Sequence, residues 1–146
     1  MLMPDVNVLV GAFRTDSEHH EDVKGWLESS VKSAETVGLS DAVLTGFVRV
    51  VTHRRIFKVP TPLDMALRQI ETLRKAPGVL RVTPGGWYVD IFARLCRGAD
   101  ARGNLVADAA HAATAMEAGA TWITLDRDFA RFAGLKWDTP LGTIGR

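Results

Sequence analysis

One cysteine, Cys96, is all that this chain of 146 residues contains. That excludes an internal disulfide and a cysteine-rich zinc site, and it fits a reducing cytosol. No stretch approaches the roughly 18 consecutive apolar residues of a membrane-spanning helix. Met1 to Asp5 carry no basic segment and already include an acid, so no secretory signal peptide is expected and the reading is cytoplasmic. No glycine-rich phosphate loop is present; Gly85-Gly86 reads as a turn. No Ser-His-Asp or Cys-His spacing stands out. His19 and His20 read as solvated, His53 lies in a basic stretch, and His111 reads as structural. Surplus charge is also missing: 18 Lys plus Arg against 17 Asp plus Glu leave a formal +1, which excludes a histone-like polybasic binder. Repeats and low-complexity segments are absent.

What is there suits one α/β domain over residues 1–146. Hydrophobic residues make up 47% and charged residues 24%, and a chain this long buries roughly 70% of its unfolded surface without staples. Leu2 to Val10 is apolar apart from Asp5 and Asn7 and reads as a short buried strand, with an awkward Pro4, running into a helix near Asn7 to Phe13. Thr15 and Glu18 have capping-box spacing and predict a helix to about Ser30. Thr36 to Leu39 predicts a strand. Ser40 or Asp41 then caps a helix with Val43, Leu44, Phe47, Val48 and Val51 inward. Thr61 to Arg74 predicts a helix with Leu63, Ala66, Leu67, Ile70 and Leu73 as its stripe; Val79 to Thr83 a strand; Trp87 to Arg97 a helix; Gly98 to Asn104 a loop. Leu105 to Ala118 predicts a helix closed by Gly119, and Thr121 to Leu125 a strand. Strands alternating with helices point to a parallel sheet covered on both faces, with a ligand site at the carboxyl ends of its strands.

Charge is segregated. No Asp or Glu occurs from Ala42 to Leu63, while Arg49, Arg54, Arg55, Lys58 and His53 do. Such a patch can hold phosphates; the plainer reading is a solvated helix end favoured by the macrodipole. Among the acids, Asp5, Asp108 and Asp126 lie among apolar neighbours, where a carboxylate is costly unless paired, hydrogen-bonded or bound to metal. Singly, Asp5 can be a turn residue, Asp108 a first-turn helix charge and Asp126 a strand-end cap. Together, carboxylates within about 4 Å cost on the order of 4 kcal/mol per pair at an effective dielectric of 20. Protonation or a divalent cation relieves that cost. Hard oxygen donors without cysteine or clustered histidine select Mg²⁺ or Mn²⁺, and a carboxylate-held Mg²⁺ suits phosphodiester hydrolysis.

The segment Asp5-Val6-Asn7-Val8-Leu9-Val10 resembles the first motif of PIN-domain nucleases. Leu105 through Ala115, with Asp108 inside it, resembles their helix-borne acidic motif, and Gly119-Ala120-Thr121 leading to Thr124-Leu125-Asp126-Arg127-Asp128-Phe129 their last. With Phe47-Val48-Arg49-Val50 and Leu135-Lys136-Trp137, nearly the whole chain is similar to VapC-type toxin ribonucleases, especially the group abundant in mycobacteria. The resemblance implies a three-layer α/β/α sandwich around a mainly parallel sheet and Mg²⁺-dependent endoribonuclease activity. It also implies neutralisation by a cognate VapB-like antitoxin, and a homodimer. It implies that Asp5 and Asp108 ligate the metal, that Asp126 completes the acidic cluster directly or through water, and that Asn7 and Thr124 support them. Asp128 is the weaker candidate, because alternate strand residues face opposite ways. One departure is plain: the family's helix-borne glutamate falls at Gly46. Asp41, five residues earlier and roughly 140° around a helix, either substitutes for it or is a plain cap. That gap keeps a catalytically weak RNA- or protein-binding module open as an alternative. An aspartyl-nucleophile phosphatase is disfavoured by Asn7, where that class has a second Asp.

Overall fold

In a computed structural model that describes residues 1–142, β1 (Leu2–Pro4) runs into α1 (Val6–Phe13), followed by α2 (His20–Lys32), β2 (Val37–Ser40), α3 (Asp41–Val51) and α4 (Leu63–Arg74). Then come β3 (Val79–Val82), α5 (Tyr88–Ala99), α6 (Asn104–Glu117), β4 (Thr121–Ile123), a 3-10 turn (Arg127–Arg131) and β5 (Trp137–Asp138). The last four residues of the expected domain span lie outside the described residues. The five strands form one sheet in the order β3-β2-β1-β4-β5, and every neighbouring pair is parallel. Winding proceeds outward from β1 to β3 on one side, then restarts at β4 on the other. Right-handed crossovers therefore place α1–α4 on one face and α5–α6 on the other. The helix contacts follow that division, α1 packing on α2 and α3, and α5 on α6. This is the expected three-layer sandwich, and its winding direction reverses between β1 and β4, where doubly wound sheets leave a crevice.

Pro4 leaves a visible trace. Leu2 N–H donates to Thr36 O on the β2 side, and Asp5 N–H to Ile123 O on the β4 side. By alternation Pro4 faces β2 with no N–H to give. The β1–β2 ladder has the single register pair Leu2↔Val37, against three pairs between β1 and β4.

The core is filled from both layers. Val8, Leu9, Val43 and Phe47 cover one face of the sheet and are buried. On the other, α6 presents Ala109, Ala112, Ala113 and Ala115, all fully buried, so this helix lies close to the strands. Trp122 of β4 is completely buried, stacked on His111 at 5.3 Å and tilted against Phe129 at 5.6 Å. His111 thus occupies the structural position read for it, and burial pushes its imidazole below the usual value.

Three expectations are corrected. The Thr15–Glu18 capping box does not form: residues 14–19 are turns, α2 starts at His20, and His19 is left-handed (φ 60°) with no side-chain cap. The stretch is tied to α1 instead, through the Arg14–Asp16 ion pair and Ser17 Oγ donating to Val10 O. In the α4 stripe Ala66 and Leu73 are buried, but Leu63 and Leu67 face outward at 59% and 38% exposure. Finally, α5 continues through Gly98 to Ala99 and stops at left-handed Asp100, shortening the expected loop.

Truncating Trp122 removes the largest fully buried side chain. Trp122→Ala is expected to lower the free energy of unfolding by about 3–5 kcal/mol, measured by urea denaturation at constant slope; a loss below about 1 kcal/mol contradicts this packing.

Candidate acidic cleft

Asp5 is placed by two elements at once. It follows β1, and it is the N-cap of α1: its backbone is extended (φ −72°, ψ 163°) and its Oδ1 accepts from Val6 N–H at 2.6 Å. Its Oδ2 accepts from the Thr124 hydroxyl at 2.7 Å. Thr124, completely buried after β4, is the hub of a small network. Its oxygen accepts from Asn7 Nδ2 at 3.3 Å and from Asp126 N–H at 3.0 Å, and Asn7 Oδ1 accepts from Leu125 N–H at 3.2 Å. Since Thr124 already accepts twice, its one proton points at Asp5. The network thus stitches the carboxyl ends of β1 and β4 together at the winding reversal.

An open cleft of about 450 Å³ lies here, and Asp5, Asp108 and Asp126 all line it with Asn7, Val50 and Phe129. The three acids singled out by their apolar neighbours, Asp5 more than a hundred residues from the other two, therefore meet at one cleft. Burial lifts the Asp5 carboxyl from its ordinary 3.8 to about 6; the hydrogen bonds from Thr124 and Val6 pull it back, and the charge of Asp126 adds to the rise. Asp108 is also raised, first by burial and then by the charges of Asp5 and Asp126. It sits on the fifth residue of α6, beyond the first turn, so the helix terminus does not account for it.

The other candidates separate. Asp41 does not join the cleft. Arg81 Nε and Nη2 donate to its two oxygens at 3.0 and 2.6 Å, and this fork holds the carboxyl below its usual range. Register explains the pairing: Leu39 lies opposite Arg81 across the β2–β3 ladder, and Asp41 is two residues further on. Asp128 lies on the 3-10 turn and not on a strand. It does not line the cleft, but its N–H donates to Asp126 Oδ1 at 2.9 Å and so helps fix that carboxylate. At Gly46 a Cβ would stand 2.8 Å from Val6 Cγ2, so the place of a helix-borne glutamate is filled by packing of α1 on α3. Arg49 is in the last turn of α3, next to cleft-lining Val50; Arg54, Arg55 and Lys58 lie beyond the helix end, where the macrodipole does not explain them. All four are exposed and none is in an ion pair among the described residues.

Glu18 was missed. It also lines the cleft, from the turn read as a capping box; only the folding-back of residues 14–19 on α1 brings it there, and no local pattern signals that.

The donor chemistry of the cleft fits a hard divalent cation. Four carboxylates line it, no Lys or Arg side chain does, and the charge of Asp126 pushes both Asp5 and Asp108 toward protonation, with Asp5 adding to the rise at Asp108. Among the described residues no three acids, histidines or cysteines close into a preassembled cage. An open set is what Mg²⁺ requires, since it keeps several waters and takes one or two carboxylates.

A parallel sheet that gathers carboxylates on its strand ends at the winding reversal defines a class of acidic-centre α/β proteins. The PIN domain family model matches residues 2–135. Ribonuclease VapC43 of Mycobacterium tuberculosis is 47% identical over 141 residues, covering 97% of this chain and 96% of its own. Ribonuclease VapC37 of the same species is 38% identical over 140 residues, covering 96% and 97%. VapBC2 from Rickettsia felis, solved bound to a promoter DNA fragment, shares the fold with a TM-score of 0.70 at 18% identity over 94% of this chain and 97% of that one. The chain belongs to the PIN-domain family, on its VapC branch.

Two outcomes follow from the geometry. The folded state holds the Asp5 proton more tightly than the unfolded chain does. Stability in EDTA is therefore full below about pH 4 and falls as pH rises through 6, by up to about 3 kcal/mol. Urea unfolding across pH 4–7 is expected to show this slope in the parent and not in Asp5→Asn; identical slopes would remove the buried charge from the picture. Asp41→Ala, by contrast, is expected to leave divalent-cation affinity by calorimetry unchanged, and a clear loss would return Asp41 to the cleft.

Proposed function

We propose that this protein is a Mg²⁺-dependent endoribonuclease, the toxin member of a type II toxin–antitoxin pair. The convergence of Asp5, Asp108 and Asp126 on one cleft that no Lys or Arg side chain lines carries this reading, and the ribonuclease relatives support it. Asp5 and Asp108 would hold Mg²⁺, for which Mn²⁺ can substitute, and Asp126 would complete the centre directly or through water. When bound, the cation neutralises charge at the scissile phosphate and acidifies water beside it. The chain's own residues do the rest. Thr124 and Asn7 fix the orientation of Asp5 and the β4 turn, and Asp128 N–H steadies Asp126. Arg49, Arg54, Arg55 and Lys58 hold the RNA backbone beside the cleft by charge, a contact that positions without reading sequence.

The partners of this reading are an RNA substrate and a cognate VapB-like antitoxin, in the cytoplasm. An apolar groove of about 440 Å³ between α2 and α4, walled by Leu27, Val31 and Leu73, offers the antitoxin a surface. A homodimer belongs to the reading too, and the exposed Leu63 and Leu67 of α4 are apolar area that it would cover. No helix among the described residues is long and apolar enough to cross a membrane.

Gly46 favours a second reading, a module that binds RNA or protein with little catalysis, because α3 brings no carboxylate to the cleft. Cleavage of structured RNA separates the two. The parent is expected to cut in Mg²⁺ and not in EDTA, and Asp108→Asn to be slower by at least about 100-fold. RNA binding without Mg²⁺-dependent cutting would favour the second reading.

A further inference from the structure

The chain between α3 and α4 is a closed loop. Thr61 N–H donates to Val51 O at 2.8 Å, so the backbone returns to the end of α3 after its excursion. Inside the loop the N–H groups of Ile56 and Phe57 both donate to His53 O at 3.1 Å. The loop has little apolar packing of its own: Ile56 is 52% and Val59 75% exposed. Surface loops of this size hold their shape only when something fills them.

Here the filling comes from elsewhere in the chain. Arg14, at the end of α1, is 9% exposed. Its Nη1 donates to Thr61 Oγ1 at 3.0 Å, its Nη2 to Val59 O at 3.0 Å, and its guanidinium carbon sits 3.7 Å over the Phe57 ring. Asp16 balances the charge through Nε and Nη2, at 3.0 and 2.7 Å. The planar fork and its stacked face are used together, which lysine cannot reproduce. The Arg14 carbonyl meanwhile accepts from Ser17 N–H at 3.1 Å, and Ser17 lines the acidic cleft.

We propose that Arg14 is a positioning residue for RNA: it clamps the loop carrying Arg54, Arg55 and Lys58 at a set distance from the cleft without touching RNA itself. The proposal rests on the reading that these three cations hold the RNA backbone. Held in place, they meet the phosphates at no ordering cost; released, they must be ordered on binding.

The test uses full-length protein and a labelled RNA hairpin. Binding is measured by fluorescence anisotropy over a salt series in an Asp108→Asn background, and KM and kcat in the active background. Arg14→Gln, Phe57→Leu and Thr61→Val are compared with an Arg54→Ala/Arg55→Ala/Lys58→Ala triple variant; the two milder substitutions serve if Arg14→Gln does not fold. The triple variant is expected to flatten the salt slope by about 2–3, as three lost phosphate contacts on a hairpin with duplex and single-stranded parts would. Arg14→Gln is expected to weaken binding and raise KM about tenfold, with kcat kept within about twofold, and faster amide exchange at Phe57 and Thr61. A triple variant that loses affinity while the Arg14, Phe57 and Thr61 variants bind like the parent overturns the clamp alone. A triple variant that binds like the parent overturns the RNA reading of the loop, and the clamp with it.

Discussion

Everything in the candidate site depends on one costly arrangement, a carboxylate kept at the junction of a central strand and a helix. Asp5 is 7% exposed, and burial moves its pKa toward neutrality. Two short hydrogen bonds, from Val6 N–H and the Thr124 hydroxyl, offset part of that cost. They also define the geometry. The first makes Asp5 the cap of α1, and the second ties it to the end of β4. Buried polar networks are worth keeping only when fully satisfied, and the Thr124 hydroxyl is: it donates once and accepts twice. The carboxylate that remains is oriented, partly desolvated and short of positive charge.

Topology then sets what Asp5 meets. β1 and β4 are neighbours in space although more than a hundred residues separate them, because winding reverses between them. Asp126 leaves β4 beside Asp5, and the alanine face of α6 lets that helix lie close enough for Asp108 to reach the same cleft. The formal +1 hides two local populations, four acids around the cleft and four cations, Arg49, Arg54, Arg55 and Lys58, that make no ion pair among the described residues. Phosphate chemistry calls for both, a cation to neutralise the reacting phosphate and basic side chains to hold its neighbours.

How much of this was legible in the sequence depended on whether the signal was local. Asp5, Asp108 and Asp126 stood out because each breaks an apolar run, and an embedded acid needs a reason wherever it falls. Their meeting was legible only through the alternation of strands and helices and the family resemblance. Features set by pairing were not. The Asp41–Arg81 fork depends on the β2–β3 register, and neither residue looks unusual alone. The Thr15–Glu18 spacing was misleading, since Arg14 and Ser17 find better partners on α1 and in the loop than a new helix offers. That error also hid Glu18 and the Arg14 clamp, which joins residues 14, 57, 59 and 61. The packing of Val6 against Gly46 explains why α3 brings no carboxylate to the cleft, where the sequence shows only that the glutamate is missing.

The central claim is that the carboxylates gathered at the winding reversal form a divalent-cation centre. The thermal unfolding midpoint as a function of Mg²⁺ concentration tests it most directly, because a ligand that binds only the folded state stabilises it in proportion to ln(1 + [L]/Kd). At about 100 times Kd the midpoint should rise by roughly 5–10 °C near neutral pH, and the rise should vanish with Asp108→Asn. A midpoint indifferent to Mg²⁺, or an equal rise in the variant, would contradict the assignment of these residues to a metal centre.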